Sequence, residues 1–265
     1  MAEQRPLAVV TGANGAIGFA IARGLEDRGF DLVLVVRDGA RAERSLGVWR
    51  NSHLRVSVET CDLGRQSEIA ALAQRLPRVI DVLVNNAAEC PHHRHETPEG
   101  IERQWATNVL GYHWMTQACT PALSRAKQAR IVNVASYWAG GLELDDVEFR
   151  RRPYDNDAAY RQAKQADRML TVGHALRLRE FGIALYSCHP GEVRSKLSTD
   201  LGFGGHESPE AGADTPVWLA TTPLPPEASG KYFAHRRAEP CRFGSNEAEV
   251  EALMQLCASY GTTTG

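Results

Sequence analysis

The sequence predicts a single α/β domain, a doubly wound parallel sheet covered by helices on both faces. Three observations carry this expectation. Short β-branched apolar runs alternate with helical stretches through the first two thirds of the chain, which is the pattern of βαβ units. Six such runs occur, favouring an open doubly wound sheet over a barrel, which needs eight. The 265 residues are 43% apolar and 23% charged, enough for one sizeable core and unlike a disordered chain.

In chain order, the strand candidates are residues 7–10, 32–36, 54–59, 80–84, 129–135 and 183–189, and the helices between them begin near Ala16, Ala40, Arg65, Pro98 and Asp157. Right-handed crossovers then bring all strand C-termini to one edge, where sheets of this type bind ligands. Beyond His189 the texture changes. Residues 202–205 and 223–226 are rich in Gly and Pro, with a short helix at 211–220 between them. We read 192–235 as a substrate-covering segment of the one domain, 1–265, rather than a second domain. A last helix, 247–259, precedes a Gly-Thr-Thr-Thr-Gly tail expected to fray.

Thirty basic against thirty-two acidic side chains give a formal charge of −2, so there is no global pull toward nucleic acid or an anionic membrane. No apolar run approaches the ~18 residues of a membrane span, and residues 1–6 lack a secretory signal's apolar stretch. A cytoplasmic protein is expected. Cys61, Cys90, Cys119, Cys188, Cys241 and Cys257 are scattered without a C-x-x-C pair, so reduced thiols are expected rather than a disulfide framework or a zinc ribbon.

The first strand runs through Thr11-Gly12-Ala13-Asn14-Gly15-Ala16-Ile17-Gly18 directly into a helical stretch. Small residues there let the backbone approach a pyrophosphate, which sits against the unpaired N–H groups and positive end of the helix. A Gly-rich turn alone could be purely structural, but the strand–turn–helix context makes this a Rossmann-type dinucleotide site. About twenty residues on, an acidic side chain would bind the ribose hydroxyls and favour NAD. Here the second strand ends Val35-Val36-Arg37-Asp38, and a guanidinium suits a 2′-phosphate. NADP(H) is therefore preferred, with NAD(H) kept open because Asp38 could face the ribose and Arg37 could be a solvated strand end.

Tyr160-Arg161-Gln162-Ala163-Lys164 puts a phenol and an ammonium on one helix face. A nearby cation favours phenolate and is expected to lower the tyrosine pKa from about 10 toward neutrality. Y-x-x-x-K alone is common and mostly two unrelated surface residues. It gains weight from its company: the 11–18 turn, Asp62-Leu63 after strand three, Asn85-Asn86-Ala87-Ala88 after strand four, Asn108 in the next helix, Ser136 after strand five and Pro190-Gly191 after strand six.

With these motifs the chain resembles a short-chain dehydrogenase/reductase over essentially its whole length. The resemblance implies Tyr160 as proton donor to the carbonyl being reduced and Ser136 as the hydroxyl that polarises it. It implies that Lys164 holds the nicotinamide ribose and depresses the tyrosine pKa, and that Asn108 holds a water linking that lysine to solvent. It also implies cofactor contacts from Gly12, Asn14, Gly15, Ala16, Ile17, Gly18, Arg37, Asp62, Leu63, Asn86, Ala87, Pro190, Gly191, Val193 and Ser195, with Asp62 at the adenine.

Three residues depart from the family pattern: Ala16 in the glycine turn, Ala88 where glycine is usual, and Ser195 where threonine is usual. The long interval between Ser136 and Tyr160, with Arg37-Asp38 and Gly230-Lys231-Tyr232-Phe233, resembles the retinol-dehydrogenase-like branch, which does not make retinol the substrate. Cys90-Pro91-His92-His93-Arg94-His95 is dense in metal ligands but matches no closed site, and no metal is expected. Trp138, two residues past Ser136, is a substrate-contact candidate, as is Phe203 in a Gly-rich stretch that could close the pocket or be a plain surface loop.

The leading expectation is an NADP(H)-dependent interconversion of a carbonyl and an alcohol, with a small-molecule partner and a homodimer left open. Two alternatives stand beside it. A sugar-nucleotide epimerase or dehydratase shares the Tyr–Lys pair but needs a larger C-terminal part. A non-enzymatic dinucleotide-sensing regulator would not need Asn108, Ser136, Tyr160 and Lys164 together.

Overall fold

The computed structural model of the chain describes residues 5–40, 42, 47, 49 and 52–261. One sheet runs through it: β1 (Leu7–Thr11), β2 (Asp31–Val36), β3 (Val56–Thr60), β4 (Val82–Asn85), β5 (Arg130–Val134), β6 (Ala184–Cys188), β7 (Tyr232–Ala234) and β8 (Arg237–Glu239). Their order is β3-β2-β1-β4-β5-β6-β7-β8, with every neighbouring pair parallel except β7 and β8. The strands alternate with helices α1 (Ala16–Glu26), α2 (Gln66–Arg75), α3 (Gly111–Leu123), α4 (Asn156–Leu178), α5 (Lys196–Asp200), α6 (Pro209–Thr221) and α7 (Glu247–Ser259).

The period of two in the strands builds a core on each face of the sheet. Val9, Leu83 and Ile131 pack with Leu110, Trp114, Met169 and Leu253 on one side. Ala8, Val10, Leu34 and Val132 pack with Ile21, Leu25 and Val217 on the other. Because both faces are buried, β2 reads as an unbroken apolar run after Asp31. The single doubly wound α/β domain expected from the sequence is the observed architecture.

Local chemistry moves some boundaries. The helix expected near Pro98 begins at Arg103, because the buried Glu102 carboxylate takes the first N–H groups, those of Gln104 (2.8 Å) and Trp105 (2.7 Å), as a cap. It enters α3 through a π-helical turn, Trp105–Leu110. Gly39, Ala40 and Ala42 are helical, and the rest of the helix expected there lies outside the described residues. The strands β7 and β8, three residues each, are an addition to the six expected. The 142–156 stretch is folded, not loose: Asp146 accepts from the backbone N–H groups of Arg150, Arg151 and Arg152, and Glu148 accepts from the Tyr260 hydroxyl.

Candidate active site

The C-terminal ends of β1, β4, β5 and β6 meet at one cleft, as the topology requires. At its phosphate side Gly12 has φ +64°, and a Cβ there would lie 2.8 Å from the Ala87 backbone, so glycine is demanded twice. Asn86 secures the turn, its Nδ2 donating to the Thr11 carbonyl (2.9 Å) while its N–H donates to Thr11 Oγ1 (2.9 Å). Gly15 is the N-cap of α1, which has no side-chain cap and no acidic residue in its first turn. Its N-terminus therefore offers backbone N–H groups and positive potential to an anion. These residues fit a dinucleotide pyrophosphate, and Ile17 lines the adjoining cavity.

Farther along the same edge, Arg37 lies 60% exposed at the end of β2, its Nη1 2.7 Å from Glu89 Oε2. Glu89 follows Ala88 after β4, and its Oε1 accepts from Arg103 Nε and from Thr107 Oγ1, both at 2.6 Å. The other two nitrogens of Arg103 donate to the Asp62 carboxylate at 3.0 and 3.1 Å. Asp62, expected to meet an adenine, is thus already tied, and Leu63 turns its side chain into the core. Glu89 and Arg103 were not singled out from the sequence.

At the other end, Ser136, Trp138, Tyr160, Lys164, Pro190, Gly191, Val193, Ser195 and Phe203 all line one cavity of about 60 Å³. Tyr160 and Ser136 are both buried in it, the serine hydroxyl near enough to favour the phenolate. Ser136 Oγ also accepts from the Trp138 N–H at 3.1 Å. The Trp138 and Phe203 rings meet edge-on, centroids 5.9 Å apart, so the two substrate-contact candidates form one apolar wall. Ser195 caps α5, exchanging hydrogen bonds with Ser198.

Lys164 is 1% exposed. Its Nζ donates to the Val134 carbonyl (3.0 Å) and pairs with Asp167 Oδ2 (2.9 Å). Asp167 holds the ammonium charged and raises its pKa, against the opposing effect of burial. Burial in turn pushes the Asp167 carboxyl up to about 6. For Tyr160 the expected lowering is corrected. Burial raises the phenol pKa and outweighs Lys164 and the Ser136 hydroxyl, which lower it, while Asp167 opposes them.

Asn108 sits in the π-helical turn with its side chain committed: Oδ1 accepts from the Glu89 N–H (3.0 Å) and Nδ2 donates to the Glu89 carbonyl (2.9 Å). The sequence reading missed Asp167, although its i+3 spacing from Lys164 was a legible signal. It also missed Tyr137, which donates to Glu192 (2.7 Å) and meets the His189 ring in a T-shaped contact, centroids 4.7 Å apart. In the Cys90–His95 stretch, Cys90 is buried against Asn156 and Arg94 donates to the Glu148 carbonyl. No metal-competent group of His, Cys, Asp and Glu occurs among the described residues.

A family profile described as short chain dehydrogenase matches residues 6–202. Mouse retinol dehydrogenase 13 is 32% identical over 92% of this chain and 79% of its own length. Bovine dehydrogenase/reductase SDR family member 12 is 32% identical over 94% and 84%. Among solved structures, a protein from Mycobacterium paratuberculosis superposes with TM-score 0.80 at 29% identity, over 97% of this chain and 92% of that one. A metagenomic short-chain oxidoreductase in complex with NADP superposes with TM-score 0.63 at 28% identity, over 82% and 91%. With the turn, the Asn-Asn-Ala-Ala stretch and the Ser136–Tyr160–Lys164 cluster in place, the chain belongs to the short-chain dehydrogenase/reductase family, in its retinol-dehydrogenase-like branch.

Proposed function

We propose that this oxidoreductase interconverts a small or medium apolar carbonyl compound and its alcohol with NADP(H), Tyr160 acting as the acid/base. The observation that carries this reading is the convergence of Tyr160, Ser136 and Lys164 on one cavity walled by Trp138 and Phe203. When bound, the nicotinamide supplies or accepts the hydride. Tyr160 gives its proton to the developing alkoxide, and the Ser136 hydroxyl donates to the same oxygen. Lys164, fixed by Val134 and Asp167, orients the nicotinamide ribose and offsets part of the cost of forming a buried phenolate. Because the Asn108 side chain is spent on Glu89, the water expected at this residue would be held by its backbone.

The 11–18 turn and the α1 N-terminus hold the pyrophosphate, and Pro190, Gly191, Val193 and Ser195 border the nicotinamide side. Arg37, aimed from the end of β2, supports NADP(H) over NAD(H). The 192–235 segment covers the substrate, with Phe203 as its apolar contact. No helix among the described residues is long and apolar enough to cross a membrane. The six cysteines are free, which supports a reducing, cytoplasmic setting. The test is a panel of aldehydes, ketones and alcohols followed by NADPH and NADH absorbance. Turnover of at least one apolar carbonyl, faster with NADPH, is expected, and no turnover across the panel with either cofactor would overturn the reading.

A further inference from the structure

At the adenosine end, four charged side chains from four elements close into a chain: Arg37 at the end of β2, Glu89 after β4, Arg103 at the start of the helix before α3, and Asp62 after β3. Their charges sum to zero. The members differ in freedom. Arg103 is 15% exposed and forks onto both carboxylates. Glu89 is held by its backbone as well as its side chain, since Asn108 grips its N–H and its carbonyl. Arg37 is the loose member, 60% exposed and reaching Glu89 with a single nitrogen.

A dianionic 2′-phosphate drawn to Arg37 meets a carboxylate already within hydrogen-bond distance of the same guanidinium. It must displace that carboxylate or share the cation with it, and either course weakens the gain. A ribose 2′-hydroxyl carries no charge and escapes that opposition. The Glu89 carboxylate cannot swing far aside, because Arg103 and Thr107 hold Oε1 at 2.6 Å.

We infer that Glu89 is a specificity-determining residue of the nucleotide site, opposing the 2′-phosphate that Arg37 attracts. The choice between NADPH and NADH is then a difference between two residues, with Arg37 as the attractive element and Glu89 as the repulsive one. This rests on the proposed reading of the cleft as a dinucleotide site, but not on which cofactor is preferred.

The experiment measures dissociation constants of NADPH and NADH by titration for the wild type, Glu89→Gln, Arg37→Ala and the double variant. Glutamine keeps the shape and an acceptor for Arg103 and Thr107 while removing the charge. Glu89→Gln should tighten NADPH by about fivefold to tenfold and move NADH by less than about twofold. Arg37→Ala, at an exposed position that folding does not depend on, should leave NADPH weaker than NADH, because the phosphate then faces Glu89 alone. The double variant should restore near-equality.

An unchanged or weakened NADPH affinity in Glu89→Gln overturns the inference, as does equal tightening of both cofactors. Equal affinities in Arg37→Ala alone also overturn it, and that variant decides the matter if Glu89→Gln does not fold. The wild-type ratio separates the two claims. If the wild type shows no NADPH preference but Glu89→Gln creates one, the proposed preference fails and the role of Glu89 stands.

Discussion

At the β2 end of the cleft Arg37 and Glu89 meet at 2.7 Å with the arginine side chain 60% exposed. At the reaction end Lys164 and Asp167 meet at 2.9 Å with side chains 2% and 0% exposed. The distances are nearly the same and the consequences are opposite. An exposed pair contributes about 0–1 kcal/mol and can trade its partner for a ligand's charge. Removing one member of a buried pair costs roughly 3–5 kcal/mol, because it strands the other in low dielectric. In the proposed reading, recognition falls to a pair whose arginine faces solvent, and the proton chemistry to a pair that is fixed.

The sharpest separation of the two ends is expected from Tyr160→Phe. Turnover should fall about 10²-fold or more, the scale of a lost general acid, while the NADPH dissociation constant moves little. Near-normal turnover in that variant would remove the phenol from the reaction and dissolve the contrast.

The next largest effect tests the buried pair directly. Asp167→Asn leaves Lys164 charged and unpaired, with an amide NH₂ competing for the same space, and should cost roughly 3 kcal/mol of unfolding free energy. Arg37→Ala, on the exposed side, should cost less than about 0.5 kcal/mol. Denaturant unfolding of both variants checks this, and similar losses would mean the two pairs are energetically alike.

The pH dependence sharpens the same point. Burial raises the Tyr160 pKa, so the neutral phenol persists through neutral pH. Carbonyl reduction, which needs the proton, should hold level through that range. Alcohol oxidation, which needs the phenolate, should rise as pH increases, by up to about tenfold per unit below the phenol pKa. An oxidation profile already flat from neutral pH upward would show that the lysine's charge outweighs burial.

The smallest effect is expected at the cover. Phe203→Ala removes the partner of Trp138 and should raise KM a fewfold with kcat changed little, read from steady-state kinetics on an apolar carbonyl. Hydrogen exchange of 202–209 should slow when NADP(H) and a substrate analogue bind. Unchanged exchange together with unchanged kinetics would leave this stretch as an ordinary surface loop.

What could be seen in the sequence follows the range of the forces involved. The six expected strands and the 11–18 turn are written in local patterns, apolar runs buried on both faces in all but the edge strand β3 and glycines that a turn requires, and they stand where expected. The strands β7 and β8 are too short to show a period. The start of the helix at Arg103 depended on one acidic cap, Glu102, rather than on the run of residues after Pro98. The Tyr160–Lys164 pair was legible as a spacing and the roles proposed for it and for Ser136 only as a resemblance, and the structure brings the three side chains to one cavity. The Arg37–Glu89–Arg103–Asp62 chain was not legible. Arg37 and Glu89 are 52 positions apart and Arg103 and Asp62 are 41 apart, and they converge only once the strands adopt the order β3-β2-β1-β4.

The π-helical turn, Trp105–Leu110, is the part of this helix where the chain tolerates a change of length. It holds about one residue more than a regular helix uses to cover the same arc. Loss of one codon at Val109 or Leu110 would let the stretch relax into α-helix with the faces on either side kept in phase, whereas the same loss within α3 would turn everything on one side by about 100° relative to the other. With Asn108 retained, its grip on Glu89 would survive the first loss and not the second. A library of single-residue deletions should therefore be milder at this turn than in the regular helix that follows.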